Sequence, residues 1–187
     1  FVLLTAGVYN SIGELPDGFE SFVGQPSYSE LTYLLRPHTY FDLSDVLNLE
    51  LGGSYVAAPS GTRRRLYGVD LALRHQPGSS SFYQGAVLGS EWYWNGQEFL
   101  DGAGGSERFH RDGGYAYLEG FFGRSFSGGI LFDHAEEIAD EAARQNTYAG
   151  FVTWKPSEFQ RLRLQLGEID QSGPNDLRVW LQWTAFI

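Results

Sequence analysis

The residues with chemistry to offer are spread along the chain, each at the same parity within an alternating segment. They are Glu50, Asp70, Arg74, Glu91, Glu119, Asp133, Arg161, Arg163 and Arg178. Alternation on a strand sends all residues of one parity to one face. Such a face has three readings. The charges meet water, they pair across a narrow interior because an unpaired buried charge is costly, or they line a pore and set ion preference. No continuous ladder of one sign runs through them, so a dedicated anion path is not expected. Arg63, Arg64 and Arg65 form a basic run whose guanidinium forks suit lipid phosphates; a solvated charge run is the alternative. The acidic run Glu136-Glu137-Ile138-Ala139-Asp140-Glu141 lacks the spacing of a calcium loop and reads as a solvated loop.

Other chemistries find little support. The His residues at 38, 75, 110 and 134 form no i, i+4 pair, so no metal site is expected. Glu91 and Glu119 would make a glycosidase-like carboxylate pair only if the fold set them opposite each other. There is no Gly-x-Ser-x-Gly, phosphate loop or dinucleotide fingerprint, and Gly102–Gly105 has no helix after it. Cys is absent, which removes disulfides, thiolate metal sites and a catalytic thiol. No catalytic residue and no cofactor is assigned.

The elements that must position these residues follow from composition and period. The chain has 187 residues, 24 of them Gly, with 16% aromatic and 19% charged residues and a net charge of −10. This balance opposes disorder, coiled coils and helical bundles. It lacks the basic footprint of a nucleic-acid binder. No run of about 18 apolar residues exists, which removes a transmembrane helix but not a transmembrane barrel. Met is absent, even at position 1, so a processed product or a fragment is expected.

Period two dominates. Leu162, Leu164 and Leu166 oppose Arg161, Arg163, Gln165 and Gly167. Val179, Leu181, Trp183, Ala185 and Ile187 oppose Arg178, Trp180, Gln182, Thr184 and Phe186. Leu47, Leu49, Leu51 and Tyr55, and again Tyr67, Val69, Leu71 and Leu73, repeat the pattern. These are strand signals. Boundaries at Gly, Pro, Asn and Asp clusters give ten strands, at 1–10, 29–41, 47–58, 64–76, 82–95, 113–124, 129–136, 146–154, 161–169 and 176–187. Most have the length a tilted strand needs to cross a bilayer.

Connections at 42–46, 77–81, 125–128 and 155–160 are short, whereas those at 11–28, 59–63, 96–112, 137–145 and 170–175 are mostly longer and polar. Outer-membrane barrels have short turns at one rim and longer loops at the other. Small residues join the apolar set at Gly53, Ala57, Ala86, Ala116, Gly120, Ala149 and Ala185. Aromatics gather near strand ends, with Tyr40, Phe41, Trp92, Trp94, Trp154 and Phe159 as candidates for an interfacial girdle, joined by Tyr55, Phe82, Tyr83, Phe122 and Phe126. Ordinary sheet aromatics are the alternative.

Two stretches carry a family resemblance. Trp154-Lys-Pro-Ser-Glu-Phe-Gln-Arg-Leu-Arg-Leu-Gln165 and Asn175-Asp-Leu-Arg-Val-Trp-Leu-Gln-Trp-Thr-Ala-Phe186 resemble the end of a family of Gram-negative outer-membrane barrels. That family is labelled zinc-regulated TonB-dependent outer-membrane receptor, or porin-like. Phe41-Asp-Leu-Ser-Asp45, Leu49-Glu-Leu-Gly-Gly-Ser-Tyr55 and Gly113-Gly-Tyr-Ala-Tyr-Leu118 look like earlier parts of it. In the first stretch Pro156 presets a turn, Phe159 anchors at the interface, and Arg161 and Arg163 enter the lumen. The resemblance implies lipopolysaccharide and other outer-membrane lipid as surroundings, barrel-assembly machinery as a partner during biogenesis, and a homo-oligomer in porin-like members. Nothing in the chain resembles a plug domain or a TonB box, so the upstream strands of a larger barrel, and any plug, are expected outside it.

The expectation is therefore one all-β domain over 1–187, an antiparallel up-and-down transmembrane β-barrel of about ten strands that forms part of a larger barrel. It would pass small solutes across the bacterial outer membrane and would not be an enzyme. The alternatives are a soluble secreted β-sandwich that binds carbohydrate, and a small barrel enzyme with paired carboxylates.

Overall fold

A computed structural model describes residues 1–9, 31–58, 64–77, 84–100, 106–136, 144–171 and 175–185. Alternating segments become strands: β1 (Val2–Tyr9), β2 (Thr32–Ser44), β3 (Leu47–Ala58), β4 (Arg64–His75), β5 (Gln84–Leu100), β6 (Ser106–Phe122), β7 (Phe126–Glu136), β8 (Arg144–Ser157), β9 (Gln160–Gln171) and β10 (Asp176–Ala185). They form one antiparallel sheet in chain order, each strand paired with the next. Among the described residues there is no helix, and β1 and β10 each pair on one side only, so the sheet is unclosed.

The ten expected strands are present, with one large correction. Residues 96–112, expected as a polar loop, are mostly strand. β5 and β6 run for 17 residues each and stay paired out to Leu100↔Ser106. Here Gln97, Glu98, Arg108, His110 and Arg111 show no apolar alternation, so the period gives no strand signal. The backbone ladder continues as a ribbon beyond the ends of β4 and β7, with Arg108 paired to Glu98 across it at 3.5 Å. The contrast between rims weakens accordingly. Asp45-Val46, 123–125 and Glu158-Phe159 are tight turns at one rim, but 76–83 at that rim is longer than 59–63, 101–105 or 172–175 at the other. Residues 78–83, with the aromatic candidates Phe82 and Tyr83, lie outside the described residues.

Proline and glycine shape the turns. Gly123 takes φ 80°, a left-handed conformation that favours glycine, in the turn from β6 to β7. Pro156, expected to preset the turn, lies instead inside β8, at the irregularity between Trp154 and Ser157. A residue with no N–H fits a strand at such an interruption of the ladder. Pro37 does the same in β2, where the pairing to β3 skips from Leu35↔Tyr55 to His38↔Gly52.

The register assigns every strand residue to one of two faces. One face carries Val69, Leu71, Leu73, Leu88, Leu118, Ile130, Val152, Leu164, Leu166, Val179 and Leu181. These side chains are open, with Ile130 64% and Leu181 68% exposed. The opposite face carries the charged set, and among the described residues every buried side chain lies on it: Thr32, Val56, Gln97, Phe109, Ser127, Thr147, Ala149, Phe151, Thr153 and Ile169. Ala149, counted above with the outward apolar set, belongs here by parity. The sheet thus covers its polar face and leaves its apolar face open, the reverse of a sheet packed on a hydrophobic core.

Candidate functional site

The covered face holds all the pore-lining candidates. Glu50, Asp70, Arg74, Glu91, Glu119, Asp133, Arg161, Arg163 and Arg178 share it by register. Cross-strand pairing also orders them in a way that linear sequence does not. Asp70 faces Glu91, Glu91 faces Tyr115, and Tyr115 faces Asp133. A row of carboxylates therefore crosses β4 to β7, while Arg161, Arg163 and Arg178 lie on β9 and β10.

Like charges placed opposite each other are destabilising, so the acidic row needs partners. Arg36, which sequence reading missed, donates from Nη2 to Asp70 Oδ1 at 2.8 Å. It reaches from β2 to β4 above Gly52, where an added Cβ would collide with the Asp70 carboxylate. The Tyr115 hydroxyl donates to Glu91 Oε2 at 2.9 Å. Nearer the tight-turn rim, Arg74 pairs with Glu50, and Ser127 donates to Glu119 at 2.5 Å. Arg163 packs on the Phe151 ring at 3.7 Å from its centroid and reaches Gln165 at 3.3 Å, and Arg178 pairs with Asp176 at 2.7 Å. Tyr117 lies over Gly89 on the same face.

Glu91 and Glu119 are not brought together. Glu91 faces Tyr115 and Glu119 faces Val87, an offset of four positions, or roughly 13 Å at 3.3 Å per residue. That exceeds the separation of a glycosidase pair, roughly 5 to 9.5 Å.

On the open face, aromatic residues bracket the aliphatic band. Phe122, Phe126, Trp154 and Trp183 lie in one row near the tight-turn rim, with Phe126 and Trp154 stacked at 6.5 Å. Tyr55, Tyr67, Trp92, Trp94, Phe132 and Tyr148 lie toward the other rim, with Tyr55–Tyr67 at 5.1 Å and Phe132–Tyr148 at 5.3 Å. Among the girdle candidates, Phe41, Trp92, Trp94 and Trp154 are on this face, and Phe159 is in the turn after β8. Tyr40 is not. With Phe41 outward, period two turns Tyr40 to the polar face, opposite Glu50.

The basic run is split in the same way. Arg65 is on the open face, in a groove of about 550 Å³ shared with Tyr67, Trp94, Arg108 and His110. Arg64 turns to the polar face, where its Nε donates to Asn95 Oδ1 at 3.0 Å, so it is removed from outward phosphate contact. Arg63 lies outside the described residues, as does the acidic run beyond Glu136.

A cluster at the end of the open face was not legible as a motif. The side chains of Asp112, His134 and Glu136 approach one another there, beside Trp92. The spacing His134-x-Glu136 puts two ligand types on one face of a strand, and Asp112 arrives only through the register of β6 on β7. The chain matches no family model, no curated protein and no solved structure.

Proposed function

We propose that this chain is an integral β-barrel of a bacterial outer membrane, contributing ten strands whose polar face lines a path for small solutes. The single observation that carries this reading is the inverted burial of the sheet: among the described residues, every buried side chain is on the charged face and the aliphatic face is open. A bilayer is the solvent that suits such a surface. The aromatic rows support it. From the row of Gln84 and Phe122 to that of Trp94 is ten residues along β5, roughly 33 Å at 3.3 Å per residue. Tilted by about 40°, that spans about 25 Å, the height of the apolar band of an outer-membrane barrel. The resemblance of 154–165 and 175–186 to porin-like barrels points the same way.

In this reading lipid and lipopolysaccharide surround the open face, and Arg65 in its groove meets anionic headgroups. The acidic row on β4 to β7 and the arginines of β9 and β10 line the path and bias its ion preference. The free edges of β1 and β10 must be paired in the membrane, with each other or with further strands.

The test is refolding from urea with and without detergent micelles, followed by circular dichroism and by migration on a gel before and after heating. The expected outcome is a protease-resistant, heat-modifiable β form only in detergent, with stepwise conductance in planar bilayers. A monomer that acquires this sheet in buffer alone would overturn the membrane reading and favour the secreted carbohydrate-binding alternative.

A further inference from the structure

We infer that Asp112, His134 and Glu136 form a binding site for a divalent first-row transition metal ion at the outward end of β6 and β7. The ligand atoms of the three side chains lie within 4.8 Å of one another. One imidazole nitrogen and two carboxylate oxygens are a donor set suited to ions from manganese to zinc. Three protein ligands leave coordination positions open to water or to an anionic oxygen.

The groups behind the ligands hold them in place. His134 Nδ1 lies 2.7 Å from Asn146 Oδ1, so as the donor in that bond it leaves the Nε2 lone pair for a metal. The imidazole stacks on Trp92 at 5.6 Å with the planes 5° apart, which fixes its orientation. The Trp92 indole N–H donates to Asp112 Oδ2 at 2.9 Å, and the Asp112 backbone N–H donates to Glu136 Oε2 at 3.1 Å. Each carboxylate therefore spends one oxygen on orientation and keeps the other for an ion. Arg144, the cross-strand partner of Glu136, is the nearest competing cation by register. The site draws on two strands, β6 and β7, through their register, and takes from the acidic run only its first residue, Glu136.

The experiment is titration of the folded full-length chain with cobalt(II), in whichever medium yields the β-sheet by circular dichroism, with zinc(II) as competitor. The expected result is one saturable site with visible d–d absorption, tryptophan quenching from the ion beside Trp92, and displacement by zinc. His134→Gln and Asp112→Asn should each weaken binding about tenfold or more, and Asn146→Ala should weaken it about tenfold through the imidazole it orients. Glu158→Gln, in a turn at the opposite rim, is the control and should bind as the parent chain does. Absence of saturable binding by the parent chain, or unchanged affinity in both His134→Gln and Asp112→Asn, would overturn the site. If one variant loses the sheet signal, the other and Glu136→Gln decide the outcome.

Discussion

The two faces of this sheet differ less in composition than in what they leave unfinished. On the covered face most charges already have partners: Arg36 with Asp70, Arg74 with Glu50, Tyr115 with Glu91, Ser127 with Glu119. On the open face the side chains of Ile130, Val152, Leu164, Val179 and Leu181 meet nothing of comparable polarity in water. A polar group can be satisfied inside one chain, because a hydrogen bond needs only one partner. Aliphatic surface is satisfied by area, and among the described residues a single sheet has no second layer to lay over it. The difference teaches that the covered face is organised by pairs and the open face by its surroundings. Changes on the two sides should therefore fail in different ways.

The largest effect is expected from a charge placed on the open face. Ile130 is 64% exposed, so in a water-facing sheet Ile130→Arg should change stability by no more than about 0.5 kcal/mol. Facing hydrocarbon, the same change should cost about 2–4 kcal/mol. Urea unfolding of micelle-folded protein, read by the heat-modifiable gel band, separates these outcomes. Gln165→Arg on the covered face, beside Arg163, is the matched comparison and should cost less than Ile130→Arg.

A smaller effect tests how closely the covered face is packed. Gly89→Val would place carbon atoms where the Tyr117 ring lies. Overpacking of this kind costs about 1–3 kcal/mol. Tyr117→Ala together with Gly89→Val should recover part of that loss. If the single substitution is neutral in the same unfolding assay, the ring does not rest on the glycine.

These expectations also show what the sequence could convey. Period two in Tyr67–Leu73, Arg161–Gly167 and Val179–Ala185 was enough to give strands and faces, because alternation is a local property. The charged candidates shared a face for the same reason. Pairing across strands is not local. The acidic row needs Asp70 opposite Glu91 and Tyr115 opposite Asp133, and no spacing within one strand predicts either. Arg36 was missed because its partner is two strands away over a glycine. The cluster of Asp112 with His134 was missed on the same ground. The ribbon formed by the ends of β5 and β6 was missed because polar residues on both faces erase the period while the backbone ladder persists.

The smallest effect sharpens the account of the covered face. Asp70 has two neighbours of opposite influence: Glu91 across the strand pair repels it, and Arg36 attracts it. Asp70→Asn removes both terms, so its cost should fall well below that of a lost ion pair. Arg36→Gln removes only the attraction and leaves two carboxylates facing each other. The Arg36 and Asp70 side chains are 46% and 19% exposed, so solvent screens them and the cost of Arg36→Gln should be about 0.5–1 kcal/mol. The double change should be no less stable than Arg36→Gln alone, which a double-mutant cycle reads directly. Conductance should move with opposite sign. Asp70→Asn subtracts a negative charge from the acidic row and should lower the preference for cations, whereas Arg36→Gln should raise it. Reversal potentials in a salt gradient measure this. A stability cost that appears with no change in either reversal potential would mean that the row holds the sheet together without lining a path.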